Sequence, residues 1–159
     1  SVEAVDVAEQ YAYVVGEVND KFVEVQDISD PTSPRIVSHY MPEPRHRPYD
    51  VVVQGRYAYL NSGRLTIDII DISDPLTLRP VGSVKTLGLA QRYVVDGDYV
   101  YVANIGNINV IDVSNPEKPR VVGFYDIRIA SSVAKVGDYL YTVGRTRRET
   151  QLHIFEFTP

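Results

Sequence analysis

From Tyr99 to Tyr125 the chain reads YVYVANIGNINVIDVSNPEKPRVVGFY, short apolar runs with period-two alternation broken by tight turns. Successive side chains of a strand point to opposite sides, so such runs rich in β-branched residues predict strands. The stretch predicts a strand, a tight turn, a second strand ending at Asp112, a proline-bracketed turn and a third strand. The same pattern occurs twice before it and once after it, and helical periodicity is found nowhere.

Tyrosine pairs mark the repeat: Tyr11 and Tyr13, Tyr57 and Tyr59, Tyr99 and Tyr101, Tyr139 and Tyr141. The period is roughly 40–46 residues, the range of four-stranded repeat units. Each unit is predicted to hold strands a to d. Strand a covers Glu3–Val7, Asp50–Val53, Tyr93–Val95 and Val133–Val136. Strand b carries the tyrosines. Strand c covers Phe22–Ile28, Thr66–Ile72, Ile108–Val113 and Leu152–Phe157, and strand d covers Arg35–Tyr40, Pro80–Val84 and Arg120–Tyr125. Gly55, Gly97 and Gly137 in the a–b turns suit the positive φ of tight hairpins. Both tyrosines of a pair fall on one face of their strand, and their recurrence in every unit points to packing between units rather than to one ligand.

The c–d connections are the most regular feature: Asp27-Ile-Ser-Asp-Pro31, Asp71-Ile-Ser-Asp-Pro75 and Asp112-Val-Ser-Asn-Pro116. Asp and Ser side chains bond nearby backbone amides there, and proline fixes φ. Preceded by Val23-Glu-Val-Gln, Ile67-Asp-Ile-Ile and Ile108-Asn-Val-Ile, these segments resemble the LVIVD repeat, as do the Tyr-x-Tyr strands and Val121-Val-Gly-Phe-Tyr125. Tyr101-Val-Ala-Asn104 is also similar to the related YVTN-type surface propellers. The resemblance implies an all-β chain: a β-propeller of four-stranded antiparallel blades, mostly found on prokaryotic cell-surface or secreted proteins and usually without assigned catalysis. One propeller, or propeller segment, is expected over residues 1–159, with repeats at about 1–48, 49–90, 91–131 and 132–159. The fourth unit departs from the pattern, with Glu156 in place of Asp and no strand d. Three outcomes stay open: an excised part of a larger propeller, association with another copy, or a small four-bladed ring with an open last blade. An unpaired strand c invites pairing, so association is the expected one.

Charge sharpens the functional reading. The net charge of −5 argues against a general nucleic-acid binder. Nothing approaches a membrane-spanning run, so no membrane insertion is expected. With no cysteine, thiolate chemistry and disulfides are excluded. In a propeller the a–b and c–d turns share one face, and the b–c turns and d–a loops share the other. The second face collects Lys21, Arg45, Arg47, Arg64, Lys85, Arg92, Arg128, Arg145, Arg147 and Arg148, with fewer acids, so it is relatively basic. Two of its loops are long: MPEPRHRP at 41–48 and GRTRRETQ at 144–151. Candidate ligand-binding residues are therefore Arg45, Arg47, Tyr49, Asp50, Arg92, Tyr93, Arg145, Arg147 and Arg148. Tyr49 and Tyr93 are chosen as blade-entrance aromatics.

Catalytic and metal readings find less support. His39, His46 and His153 fall on different elements, and no Gly-x-Ser-x-Gly occurs. Glu3 and Asp50 are the carboxylates that could pair near an axis, as a carbohydrate-active enzyme would need. The expectation is a non-enzymatic module, without cofactor or metal, on an extracellular or cell-surface protein. It presents its basic face to a protein or acidic glycan, while a second copy of itself or further blades would complete the ring. The rivals are the propeller enzyme and a purely structural repeat segment.

Overall fold

A computed structural model describes residues 2–18, 21–42, 48–62, 65–127, 130–145 and 149–157. Among them are fifteen strands and no helix. They form two compact units, 1–83 and 84–159, each containing two antiparallel sheets with neighbouring strands in chain order.

Sheet 1 is β1 (Val2–Ala8), β2 (Tyr11–Val18), β3 (Lys21–Asp27) and β4 (Arg35–Tyr40). Sheet 2 is β5 (Asp50–Gln54), β6 (Tyr57–Asn61), β7 (Thr66–Asp71) and β8 (Arg79–Lys85). In the second unit, sheet 3 is β9 (Ala90–Asp96), β10 (Tyr99–Asn104), β11 (Asn107–Asp112) and β12 (Arg120–Asp126). Sheet 4 has three strands, β13 (Ala130–Val136), β14 (Tyr139–Arg145) and β15 (Thr150–Glu156). The innermost strands start earlier than the alternation suggests. β9 begins at Ala90 and β13 at Ala130, because a register shift near each strand's start interrupts the period-two pattern.

Each first hairpin closes through two residues, the first with φ near +55°: Glu9, Gly55, Gly97 and Gly137. The second turn residue then accepts a hydrogen bond from the amide just past the third strand. Ile28 donates to Gln10 O, Ile72 to Arg56 O, Val113 to Asp98 O and Phe157 to Asp138 O, all at 2.7–2.9 Å. The turn is thus tied to the far end of the sheet in all four units.

Within each unit, one sheet lays its tyrosine face on the next sheet's opposite face. In the first unit Tyr13, Val15, Val23 and Val25 pack with Val51, Ala58, Leu60 and Ile70. In the second, Tyr101, Ala103, Ile108 and Val110 pack with Ala130 and Leu140, and the Tyr99 and Tyr101 rings each lie 5.3 Å edge-on from Phe157. Burial raises the Tyr101 hydroxyl to about 12, with the charge of Asp96 adding to the effect.

Glu9 is the one first-turn position that holds a side chain in the left-handed region, and nothing crowds a Cβ at the other three. Gly97→Ala is expected to cost about 1 kcal/mol and Glu9→Gly to gain up to about 1 kcal/mol, read as opposite shifts in the urea midpoint.

Candidate functional site

The c–d ends of the sheets are built from carboxylates turned back on their own backbone. Asp27, Asp71 and Asp112 accept the amides of Ser29, Ser73 and Ser114 at 2.9–3.0 Å. Three residues on, Asp30, Asp74 and Asn115 accept those of Thr32, Leu76 and Glu117 at 3.0–3.1 Å. Arg56 pairs with Asp71, and Arg120 with Asp112 at 2.9 Å. The Arg56 and Ser73 hydrogen bonds hold the Asp71 carboxyl at about 2, and those of Ser114 and then Arg120 do the same for Asp112.

The inner strands carry a different kind of link. In the first unit Asp6 on β1 accepts Val7 N at 2.8 Å and, across to β5, Val53 N at 2.7 Å. The second unit uses Lys135 on β13. Its side chain is 7% exposed, lies 3.5 Å from Asp96 Oδ2, donates to Gly137 O and sits 5.6 Å from the Tyr101 ring centroid. Neither residue carries a sequence signature, because Asp6's partner is an amide 47 positions away and Lys135 sits in an ordinary strand alternation.

Buried polar groups sit toward the other ends. Asp68 takes hydroxyl hydrogen bonds from Ser62 and Ser83, beside a cleft of about 260 Å³ that Tyr40, Pro42 and Val81 also line. Asn109 accepts Leu87 N at 2.7 Å, while Asn107 accepts from both Asn104 and Asn109. Gly88 meets Asn104 Cβ at 2.9 Å from where its own Cβ would stand, so any side chain there would displace this cluster. A second cleft of the first unit, about 300 Å³, lies at its turn ends between Glu9, Tyr11, Tyr13 and Arg56. No group of three His, Asp or Glu among the described residues is arranged to hold a metal.

The sequence-derived candidates scatter over this frame. Tyr49 is half-buried and donates its amide to Asn61 O at 3.0 Å, and Asp50 opens β5 and accepts Val51 N at 3.1 Å. Arg92 is exposed and bonds Gln91 O. Tyr93 is 6% exposed. It is a mid-strand residue opposite Val102 and not a blade-entrance aromatic, since β9 begins three residues before it. Arg145 ends β14. Arg45, Arg47, Arg147 and Arg148 lie outside the described residues. Glu3 is exposed on β1, and Asp6 is a carboxylate that joins β1 to β5.

The LVIVD repeat model matches residues 1–42, 48–86 and 87–127. The chain belongs to the LVIVD repeat family. Its fold is a β-propeller of four-stranded antiparallel blades with a three-stranded last blade. Similar solved structures include the computationally designed Ika4 protein, 8% identical, with a TM-score of 0.78 over 99% of this chain and 92% of that one. A functionally unknown protein from Desulfotomaculum acetoxidans is 16% identical, with a TM-score of 0.77 over 99% of this chain and 52% of that one. AztD from Citrobacter koseri is 14% identical, with a TM-score of 0.73 over 99% and 44%. The chain thus spans about half the length of the two natural proteins. Among curated proteins none matches it in sequence.

In each matched LVIVD repeat the apolar positions of the motif are the buried face of the third strand, and its closing Asp caps the c–d turn. Both carboxyls at about 2 stabilise the fold fully above the unfolded value near 4. Stability is expected to fall as pH drops from about 4 toward 2, and the Asp71→Asn/Asp112→Asn variant to lose much of that slope in acid titrations of the urea midpoint. An Asn side-chain oxygen can accept a turn amide, as Asn115 does from Glu117, so folding at neutral pH is expected to survive the change.

Proposed function

We propose that the chain is a non-enzymatic binding or scaffold module of a cell-surface or secreted protein. It presents the b–c turns and d–a loops of its sheets to an anionic partner, an acidic protein or an acidic glycan. The observation that carries this reading is the unequal use of charge. At the c–d ends, five aspartates are consumed by their own turns, so folding accounts for them. The arginines assigned to the opposite ends follow no repeat signature. Arg45 and Arg47 stand in the loop after the first unit, and Arg145, Arg147 and Arg148 around the last hairpin. A role in turn capping recurs from unit to unit, as it does for these aspartates, and the arginines show no such recurrence.

The physical advantage of this arrangement is a paired sheet beneath the binding residues. Strands β14 and β15 stay paired to Arg145 opposite Thr150, so the hairpin beneath these arginines is anchored in the sheet. Arginine suits the task because its planar fork matches carboxylate and sulfate oxygens in pairs. The likeness to AztD and to the other solved structures adds the fold alone.

Retention on immobilised heparin, a sulfated polysaccharide, is the direct test. Binding is expected to weaken steeply with salt and to fall about tenfold in the triple variant Arg145→Ala/Arg147→Ala/Arg148→Ala. Retention that ignores salt, or that survives the triple substitution, would sink the proposal.

A further inference from the structure

Two apolar sheet faces are exposed, and they are the two halves of a junction the fold already makes twice. Inside each unit a tyrosine face meets the opposite face of the next sheet. The tyrosine face of sheet 4 contains Tyr139, Tyr141, Leu152 and Ile154, set side by side by the pairings Tyr141↔Ile154 and Val143↔Leu152. Leu152 occupies the register position of Val23 and Ile108, and Ile154 that of Val25 and Val110. Those four counterparts are 0–2% exposed, whereas Leu152 is 61% and Ile154 56% exposed. On sheet 1 the opposite face holds Val5 and Val7, paired with Val14 and Ala12. Val5 matches Val51 of sheet 2, which is 4% exposed, yet Val5 is 59% and Val7 51% exposed.

We propose that a second copy of this chain covers both faces. The tyrosine face of sheet 4 in one copy packs on the Val5/Val7 face of sheet 1 in the other, and the reciprocal junction closes the pair. This rests on the sheet faces alone and stands independently of the anionic-partner reading. A second copy is the occupant the surfaces specify, because it brings the mate of each face in the register that Val23/Val25 and Val51 already use. Head-to-tail contacts that close after two copies leave no unmated apolar face at either end and stop growth at a dimer. The pair then holds eight sheets. Known structures of the same fold hold this chain's length about twice over, with 52% and 44% of their chains covered.

Light scattering over a dilution series is expected to give a species of about twice 17.9 kDa that dissociates on dilution. Val7→Lys and Ile154→Lys, each at an exposed position and each tested alone, should raise the dimer dissociation constant at least about tenfold while the circular dichroism spectrum is retained. Cross-linking separates head-to-tail from face-to-self contact even if a lysine variant folds poorly. The chain has no cysteine, so Val7→Cys and Ile154→Cys chains can be joined by a short bis-maleimide. A mixture of the two should yield cross-linked heterodimer, and neither alone should cross-link. A monomer at every concentration overturns the proposal and leaves these faces to further sheets of a longer chain. Cross-linking of Ile154→Cys with itself overturns it in favour of a face-to-self dimer.

Discussion

The second strand of every sheet is apolar on both sides, and the rest of the structure follows from that. Tyr13, Tyr59 and Tyr101 point one way; Ala12, Ala58, Val100 and Leu140 point the other, and all of these are buried. A sheet covered on one face only would leave half of such a strand in water, at about 25 cal/mol for each Å² of apolar surface. Each sheet therefore needs a neighbour on both faces, and a chain of such sheets is stable only when stacked. Tyrosine suits the face that meets the next sheet because its body is apolar while its hydroxyl can reach the polar margin.

Stacking fixes spacing, and the turns have to respect it. Each a–b turn receives a hydrogen bond from the residue just past strand c, so three strands end in one register. The Asp-x-Ser-Asp-Pro turn begins one residue before that donor, with its carboxylate already spent on an amide. Packing and turn chemistry agree at the same residues, which is the local consistency expected of a foldable sequence. Polar links between inner strands, Asp6 to Val53 N in one unit and Lys135 to Asp96 in the other, add to a frame that apolar contacts have already set.

The fold was legible because its signals are local. Tyrosine pairs, positive-φ glycines and capped turns each declare themselves within a few residues, and the three-stranded last sheet followed from the missing fourth run. The starts of β9 and β13 were hidden, since Ala90-Gln91-Arg92 and Ala130-Ser131-Ser132 flank register shifts that break the alternation. The alternation alone therefore places Tyr93 at a blade entrance, whereas it is a buried mid-strand residue. Asp6 and the Asn104–Asn107–Asn109 cluster were invisible for another reason: their partners are backbone groups of distant segments, Val53 and Leu87. The candidate site was legible only as charge. Arginines at loop positions can be counted from sequence, but their geometry depends on loops that no repeat specifies.

One strand position shows how a repeat makes room for difference. The second motif residue of strand c is Glu24, Asp68, Asn109 and His153 in the four sheets. Glu24 holds Gln26, Asp68 holds two serine hydroxyls, Asn109 holds the Leu87 amide, and His153 stacks on Phe155. All four point away from the tyrosine face of their own sheet, so they vary without altering that face. The same logic separates folding from binding along the whole chain. Residues that recur are committed to strands, turns and junctions, and selection for a partner can act only on those that do not. In this chain the non-recurring residues include strand groups such as Asp6, Asp68, Asn109 and Lys135, and the arginines of the loops. The first set is already engaged within the frame. The loop arginines carry no repeat signature, and the proposed binding role rests on that.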